Sequence, residues 1–168
     1  MAYPPSPFAP AHFPALPPVR GVRLAACEAG VRYSGRLDLM LAEFAPDTVV
    51  GGVMTKSTTA GAPVDWNRVA LGNGAARALV VNAGNANVFT GKRGREAVAK
   101  TAAAVSDAIG CDSNDVFVCS TGTIGEYLLE DRITAKIGDL KTTLSDTAWE
   151  QAATAIMTTD TYAKGAMR

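Results

Sequence analysis

Hydrophobic and polar positions change period several times along the chain, and each change marks an element. Val22, Leu24 and Ala26 recur at every second position, as do Leu37, Leu39 and Leu41. With Gly30 and Gly35 flanking a turn around Tyr33 and Ser34, they predict a hairpin. Pro46-Asp47 predicts a turn. Val49 to Met54 predicts a third strand, in which Gly51 and Gly52 permit a bulge. The stretch from Pro63 to Leu71 fits a short helix or strand, closed by a Gly72-Asn73-Gly74 turn. Ala78-Leu79-Val80-Val81 and Val116-Phe117-Val118 are short apolar runs, the mark of buried strands. Between them, Val98, Ala102, Val105 and Ile109 fall on one helical face, Glu96 and Lys100 pair on the other, and Gly110 ends the helix. Ile133, Ile137, Leu140 and Leu144 share a second helical face. Thr147 and Glu150 stand at capping-box spacing ahead of a last helix, with Trp149, Ala153 and Ile156 as its apolar side. Strands and helices mix without strict alternation, which favours a layered α+β domain.

Composition narrows the classes. The chain of 168 residues is long enough for one sizeable core. Its formal net charge is zero, so electrostatics make no case for nucleic acid or an anionic membrane as partner. No apolar run approaches the ~20 residues of a membrane span, and the N-terminus lacks a signal-peptide pattern, so a cytoplasmic location is expected. Seven of the nine prolines lie in residues 1–18. Residues 1–20 are therefore expected to form a proline-rich arm and residues 21–168 the folded domain. Cys27, Cys111 and Cys119 are odd in number and lack CxxC spacing, as reduced thiols do. The single histidine, His12, lies in the arm, so neither a histidine-based triad nor a zinc site is expected. Covalent chemistry on this chain needs another base.

Four polar stretches are candidates for chemistry. Ser120-Thr121-Gly122-Thr123-Ile124-Gly125 follows a buried strand directly. Its hydroxyls and glycine-freed amides suit a developing oxyanion, or simply an ordinary strand-to-loop turn. Asn82-Ala83-Gly84-Asn85-Ala86-Asn87 supplies donors and acceptors in a segment that tolerates left-handed backbone, and reads equally as a turn at a sheet edge. Thr55 to Pro63 is a polar loop that suits an acidic ligand or plain solvent. Met157-Thr158-Thr159-Asp160-Thr161 can bind a polar ligand or satisfy a helix end. Thr90-Gly91-Lys92-Arg93-Gly94 lacks the spacing of a nucleotide-binding P-loop.

The segment Asn82 to Gly91 resembles the NxGNANAFTG signature of the ornithine acetyltransferases, also called glutamate N-acetyltransferases. Ala62 to Trp66 resembles that family's APV element, Ser120 to Glu126 its STGVIGE turn, and Met157 to Thr161 its MTTDT element, all in the same order. The resemblance implies a layered αββα sandwich, incomplete without a β-chain cut from the same precursor, and an α2β2 heterotetramer. It implies acetyl transfer from N-acetylornithine to glutamate through an acetyl-threonine, with no cofactor, although some members also take acetyl-CoA as donor. It maps the oxyanion-hole pair to Thr121 and Gly122, and substrate binding to Thr158, with Thr159 and Thr161 beside it. The family's KGSGMIxPxMAT segment, which carries the nucleophile, does not follow Met157 to Thr161 here. These residues alone are therefore expected to lack the nucleophile and to be inactive. A related self-processing aminopeptidase and a non-catalytic partner-binding domain are the competing readings.

Overall fold

Strand β1, Val22–Cys27, pairs antiparallel with β2, Leu39–Phe44, from Val22 opposite Phe44 to Cys27 opposite Leu39. This is the hairpin that the alternation predicts, seen in a computed structural model that describes residues 4–168. β2 pairs antiparallel with β3, Ala78–Asn85, and β3 pairs parallel with β4, Val116–Thr123. The four strands stand in the order β1-β2-β3-β4, so β4 is an edge. The parallel pair requires a crossover. Helix α2, Gly91–Ile109, supplies it and ends on Gly110 in the left-handed conformation.

One sheet face carries most of the core. Leu39, Leu41, Val80, Val116 and Val118 pack there against Val98 and Val105 of α2 and Ile133, Ile137 and Leu140 of α3, Glu130–Thr142. Each of these fully buried aliphatic side chains contributes roughly 1.5–3 kcal/mol. α1, Ala62–Ala70, covers the same face beside β4. The opposite face is covered over β1 and β2 by a short helix α4, Trp149–Ala155. The mixed architecture is the expected α+β class.

Several local expectations are corrected. Val49 to Met54 forms no strand; only Val49 makes an isolated bridge to Ala75, and Val49 and Val53 are 85% and 97% exposed. With glycines at 51 and 52 and no strand beside it among the described residues, most of the segment is exposed; Val50 alone packs on the Phe117 cluster, its amide donating to the Gly74 carbonyl. The capping box at Thr147 does not form; the Thr147 amide donates to Ser145 Oγ instead, and α4 starts on Ala148 with no side-chain cap. The buried face of α4 is Ala152 and Ala155, so Ile156 is left 41% exposed. Glu96 pairs with Lys92, and Lys100 turns to Glu130 of α3. Leu144 lies beyond the end of α3, although it packs against the core. Within the arm, residues 1–3 lie outside the described residues; residues 4–20 contain no helix or strand, and the Phe13 ring rests on Gly165.

Candidate active site

The site is assembled where the parallel pair β3–β4 leaves the helical core. Both polar motifs were expected as turns, but both are extended. Asn82–Asn85 completes β3, Ser120–Thr123 completes β4, and the two segments pair residue for residue from Asn82 opposite Ser120 to Asn85 opposite Thr123. The bend comes later, at Ile124 to Glu126, with Gly125 at φ +79°.

At the third rung two glycines face each other, Gly84 at φ +107° and Gly122 at φ +129°. A Cβ on Gly122 would collide with the Gly84 carbonyl carbon and lie 2.7 Å from the Asn85 nitrogen. A Cβ on Gly84 would lie 2.8 Å from the Cβ of Arg32, in the loop joining β1 to β2. Both positions therefore need glycine twice over, for backbone angle and for space.

The direction of the backbone amides follows from strand alternation. The carbonyls of Val116 and Val118 accept from Trp66 Nε1 and Asn67 Nδ2 of α1, so even-numbered residues of β4 face its outer edge. Odd-numbered ones face β3, as the Ala86 amide donating to the Thr123 carbonyl shows. α1 satisfies the edge only as far as Val118. Beyond it, the amides of Ser120 and Gly122 point to the free edge, where an unpaired N–H is open to a ligand. The side chain of Thr121 alternates to the face opposite the main core, shared with Leu79, Val81 and Phe117. Thr121 is half-buried and Gly122 exposed. One hydroxyl and one backbone amide thus sit at adjacent residues on accessible backbone, a geometry suited to holding an oxyanion.

Carboxamides hold this end of the sheet. Ser120 Oγ donates to Asn82 Oδ1 at 2.7 Å, Asn82 Nδ2 to the Asn85 carbonyl at 2.9 Å, and Asn85 Nδ2 to the Glu126 carbonyl at 3.1 Å. Asn87, fully buried at φ +51°, bonds the Gly94 carbonyl and receives the Thr90 hydroxyl. Phe89 also has a left-handed backbone, φ +59°, and is 67% exposed. Sequence reasoning missed two buried supports. Asp38 accepts from the amides of Ala29 and Val31 at 2.6 and 2.8 Å, and Asn67 secures Val118. An acidic residue just after the Gly30–Gly35 turn was the signal for Asp38; nothing in a single sequence marks Asn67.

Thr158, Thr159 and Thr161 lie past α4, and no hydrogen bond among the described residues joins them to Thr121 or Gly122. Thr158 and Thr161 are half-buried and Thr159 exposed. Arg36 Nη2 donates to the Met157 carbonyl at 2.6 Å, and Thr161 Oγ1 accepts from the Ser6 amide at 3.2 Å. The thiols are poor nucleophiles: burial pushes Cys27 up to about 11 and raises Cys119 against the hydrogen bond from Asn67. Among the described residues, no group of three or more His, Cys, Asp or Glu is placed to hold a metal ion, and no helix is long and apolar enough to cross a membrane.

Residues 23–168 match the model of the ArgJ family. The chain belongs to the ArgJ family. It is 50% identical over 159 residues to the arginine biosynthesis bifunctional protein ArgJ of Brucella suis, covering 95% of this chain and 38% of the relative. The corresponding protein of Gluconobacter oxydans is 54% identical over 155 residues, 92% of this chain and 37% of its own length. The chain thus spans well under half the length of these ArgJ relatives. The ornithine acetyltransferase of Mycobacterium tuberculosis, solved in complex with ornithine, superposes with a TM-score of 0.81 at 37% identity, over 85% of this chain and 78% of that one. The ArgJ protein of Bacillus halodurans gives 0.79 at 30% identity, over 84% and 74%. An ArgJ portion that accounts for 38% of a relative fits one piece of a longer precursor.

Proposed function

We propose that this ArgJ chain is the α-chain portion of an acetyltransferase that moves acetyl from N-acetylornithine to glutamate. The observation that carries the reading is the adjacent pair of a Thr121 hydroxyl and an outward Gly122 amide on a free strand edge, in a chain of this family. In the proposed reaction, a threonine hydroxyl on the remainder of the precursor attacks the acetyl carbonyl of N-acetylornithine. Its proton goes to the base, the threonine's own α-amine, and from there to the departing ornithine amine as the C–N bond breaks. The glutamate amine then attacks the acetyl ester and returns the threonine. Thr121 and Gly122 donate to the oxygen that becomes negative in both steps. A free α-amine as base fits a chain whose one histidine, His12, is in the arm.

The remaining parts of the reading are coupled to this one. Thr158, with Thr159 and Thr161, contacts substrate from the segment after α4. Acetyl-CoA is an alternative acetyl donor, and no cofactor takes part. The chain works with its β-chain in an α2β2 assembly in the cytoplasm, as the sandwich partner of the face that α4 leaves open.

The test is to incubate the full-length, self-processed protein with N-[13C]acetylornithine and glutamate. Labelled N-acetylglutamate without labelled acetate is expected. Acetate alone would replace the reading with a hydrolytic aminopeptidase relative, and no turnover of either kind would leave a partner-binding domain.

A further inference from the structure

We propose that Asn82 is a positioning residue for the Thr121–Gly122 donors, acting through Ser120. The inference deepens the acetyl-transfer reading and rests on it. Gly122 sits at φ +129° in the edge strand β4, where glycine has no side chain to fix the direction of its peptide. An oxyanion donor works only if its direction is set before the charge develops. Something must therefore hold the peptide on each side. Before the pair, Ser120 Oγ is tied to Asn82 Oδ1 at 2.7 Å. After it, the Glu126 carbonyl is tied to Asn85 Nδ2 at 3.1 Å. The Asn82 carboxamide joins these anchors, because its Nδ2 donates to the Asn85 carbonyl at 2.9 Å.

Asn82 is 2% exposed and Asn85 4%. Burying two carboxamides is unfavourable unless they are fully bonded, and a Val–Ala pair at positions 82 and 120 would fill a strand pair at less risk to stability. What the polar pair adds is a fixed orientation for Ser120, the residue immediately before the donors. Neither Asn82 nor Ser120 reaches the reacting atoms, since both side chains lie on the helix-covered face and Thr121 on the other.

The test compares Ser120→Ala, Ser120→Thr and Asn82→Ala in the full-length, self-processed protein, with kinetics and with peptide-resolved hydrogen exchange. In Ser120→Ala, kcat is expected to fall about ten- to hundredfold with KM within about twofold, because only transition-state stabilisation is lost. Ser120→Thr, which keeps the hydroxyl, returns kcat to within about threefold of the parent. Amides from Thr121 to Glu126 exchange faster in Ser120→Ala, while those of Val116 to Val118 do not change. A kcat fall without local loosening, a change confined to KM, or loosening of all of β4 overturns the proposal. If the parent protein transfers no acetyl, the reaction assigned above fails, and the exchange measurement alone decides the positioning role. If Asn82→Ala does not fold, Ser120→Ala, which loses a single hydroxyl, still decides it.

Discussion

The carboxamide of Asn67 pairs with the backbone of Val118 in both directions: Nδ2 donates to its carbonyl at 2.8 Å, and Oδ1 accepts from its amide at 2.9 Å. The side chain takes the place of a fifth strand for one rung of the sheet. Removing it leaves two buried backbone groups of an edge strand without partners. Asn67→Ala should destabilise the fold by about 2–4 kcal/mol. Chemical denaturation measures the loss, and hydrogen exchange at Val118 should report it locally. A loss under about 0.5 kcal/mol would mean that water replaces both bonds.

The Thr121 hydroxyl, proposed above as an oxyanion donor, can be removed without disturbing the ladder. In the full-length, self-processed protein, Thr121→Ala should lower turnover by about two to three orders of magnitude while KM changes little. Steady-state acetyl transfer at saturating N-acetylornithine checks this. A turnover near that of the parent would remove Thr121 from the oxyanion hole.

Glycine positions separate by what a methyl group would meet. At Gly122 it would strike the backbone of Gly84 and Asn85, at an angle side chains avoid, so Gly122→Ala should destabilise by about 2–4 kcal/mol. At Gly138, exposed in the middle of α3, nothing lies within 4 Å. Gly138→Ala should stabilise by about 0.5–1 kcal/mol through helix propensity. Paired thermal and denaturant melts test both signs.

Glu43 predicts a pH dependence. Burial raises its pKa, but hydrogen bonds and charge from Lys141 and Arg23 outweigh that and hold the carboxyl below its ordinary value of 4.5. A folded-state value below the unfolded one gives stability that is present above the unfolded pKa and is lost as pH falls through the folded one. Stability should therefore decline as pH drops below about 4.5, and Glu43→Gln should flatten that decline. Near neutral pH the substitution should cost about 1–3 kcal/mol, moderated by the half-exposed Arg23. Urea titrations across pH 3 to 7 would show whether the two profiles converge in acid.

The thiol of Cys27, at about 11 against an ordinary 9.0, should be about a hundredfold less ionised at pH 8 than a free cysteine. Iodoacetamide should modify it correspondingly slowly in the native protein and at an ordinary rate in urea. Fast native labelling would show that the β1 end opens readily.

The apolar periodicities carried the hairpin, the buried runs of β3 and β4 and the core faces of α2 and α3, because each buries a regular stripe. They failed where partners decide. Val49 to Met54 has strand-like residues but no strand to pair with, and Thr147 has cap spacing but a closer acceptor in Ser145. The two polar motifs did not show their shape. Glycine and asparagine usually signal turns, and only the pairing of Gly84 with Gly122 makes an extended ladder of them. The resemblance maps an oxyanion pair to Thr121 and Gly122; that the Gly122 amide faces the outer edge of β4 required the strand alternation that Asn67 reveals.

The facing glycines also admit only one alignment of the two strands. Sliding β4 by a single residue would bring Thr121 or Thr123 opposite Gly84, where there is no room for a side chain, and would turn every side chain of the strand to the other face. The spot that frees an amide thus doubles as a ruler for strand alignment.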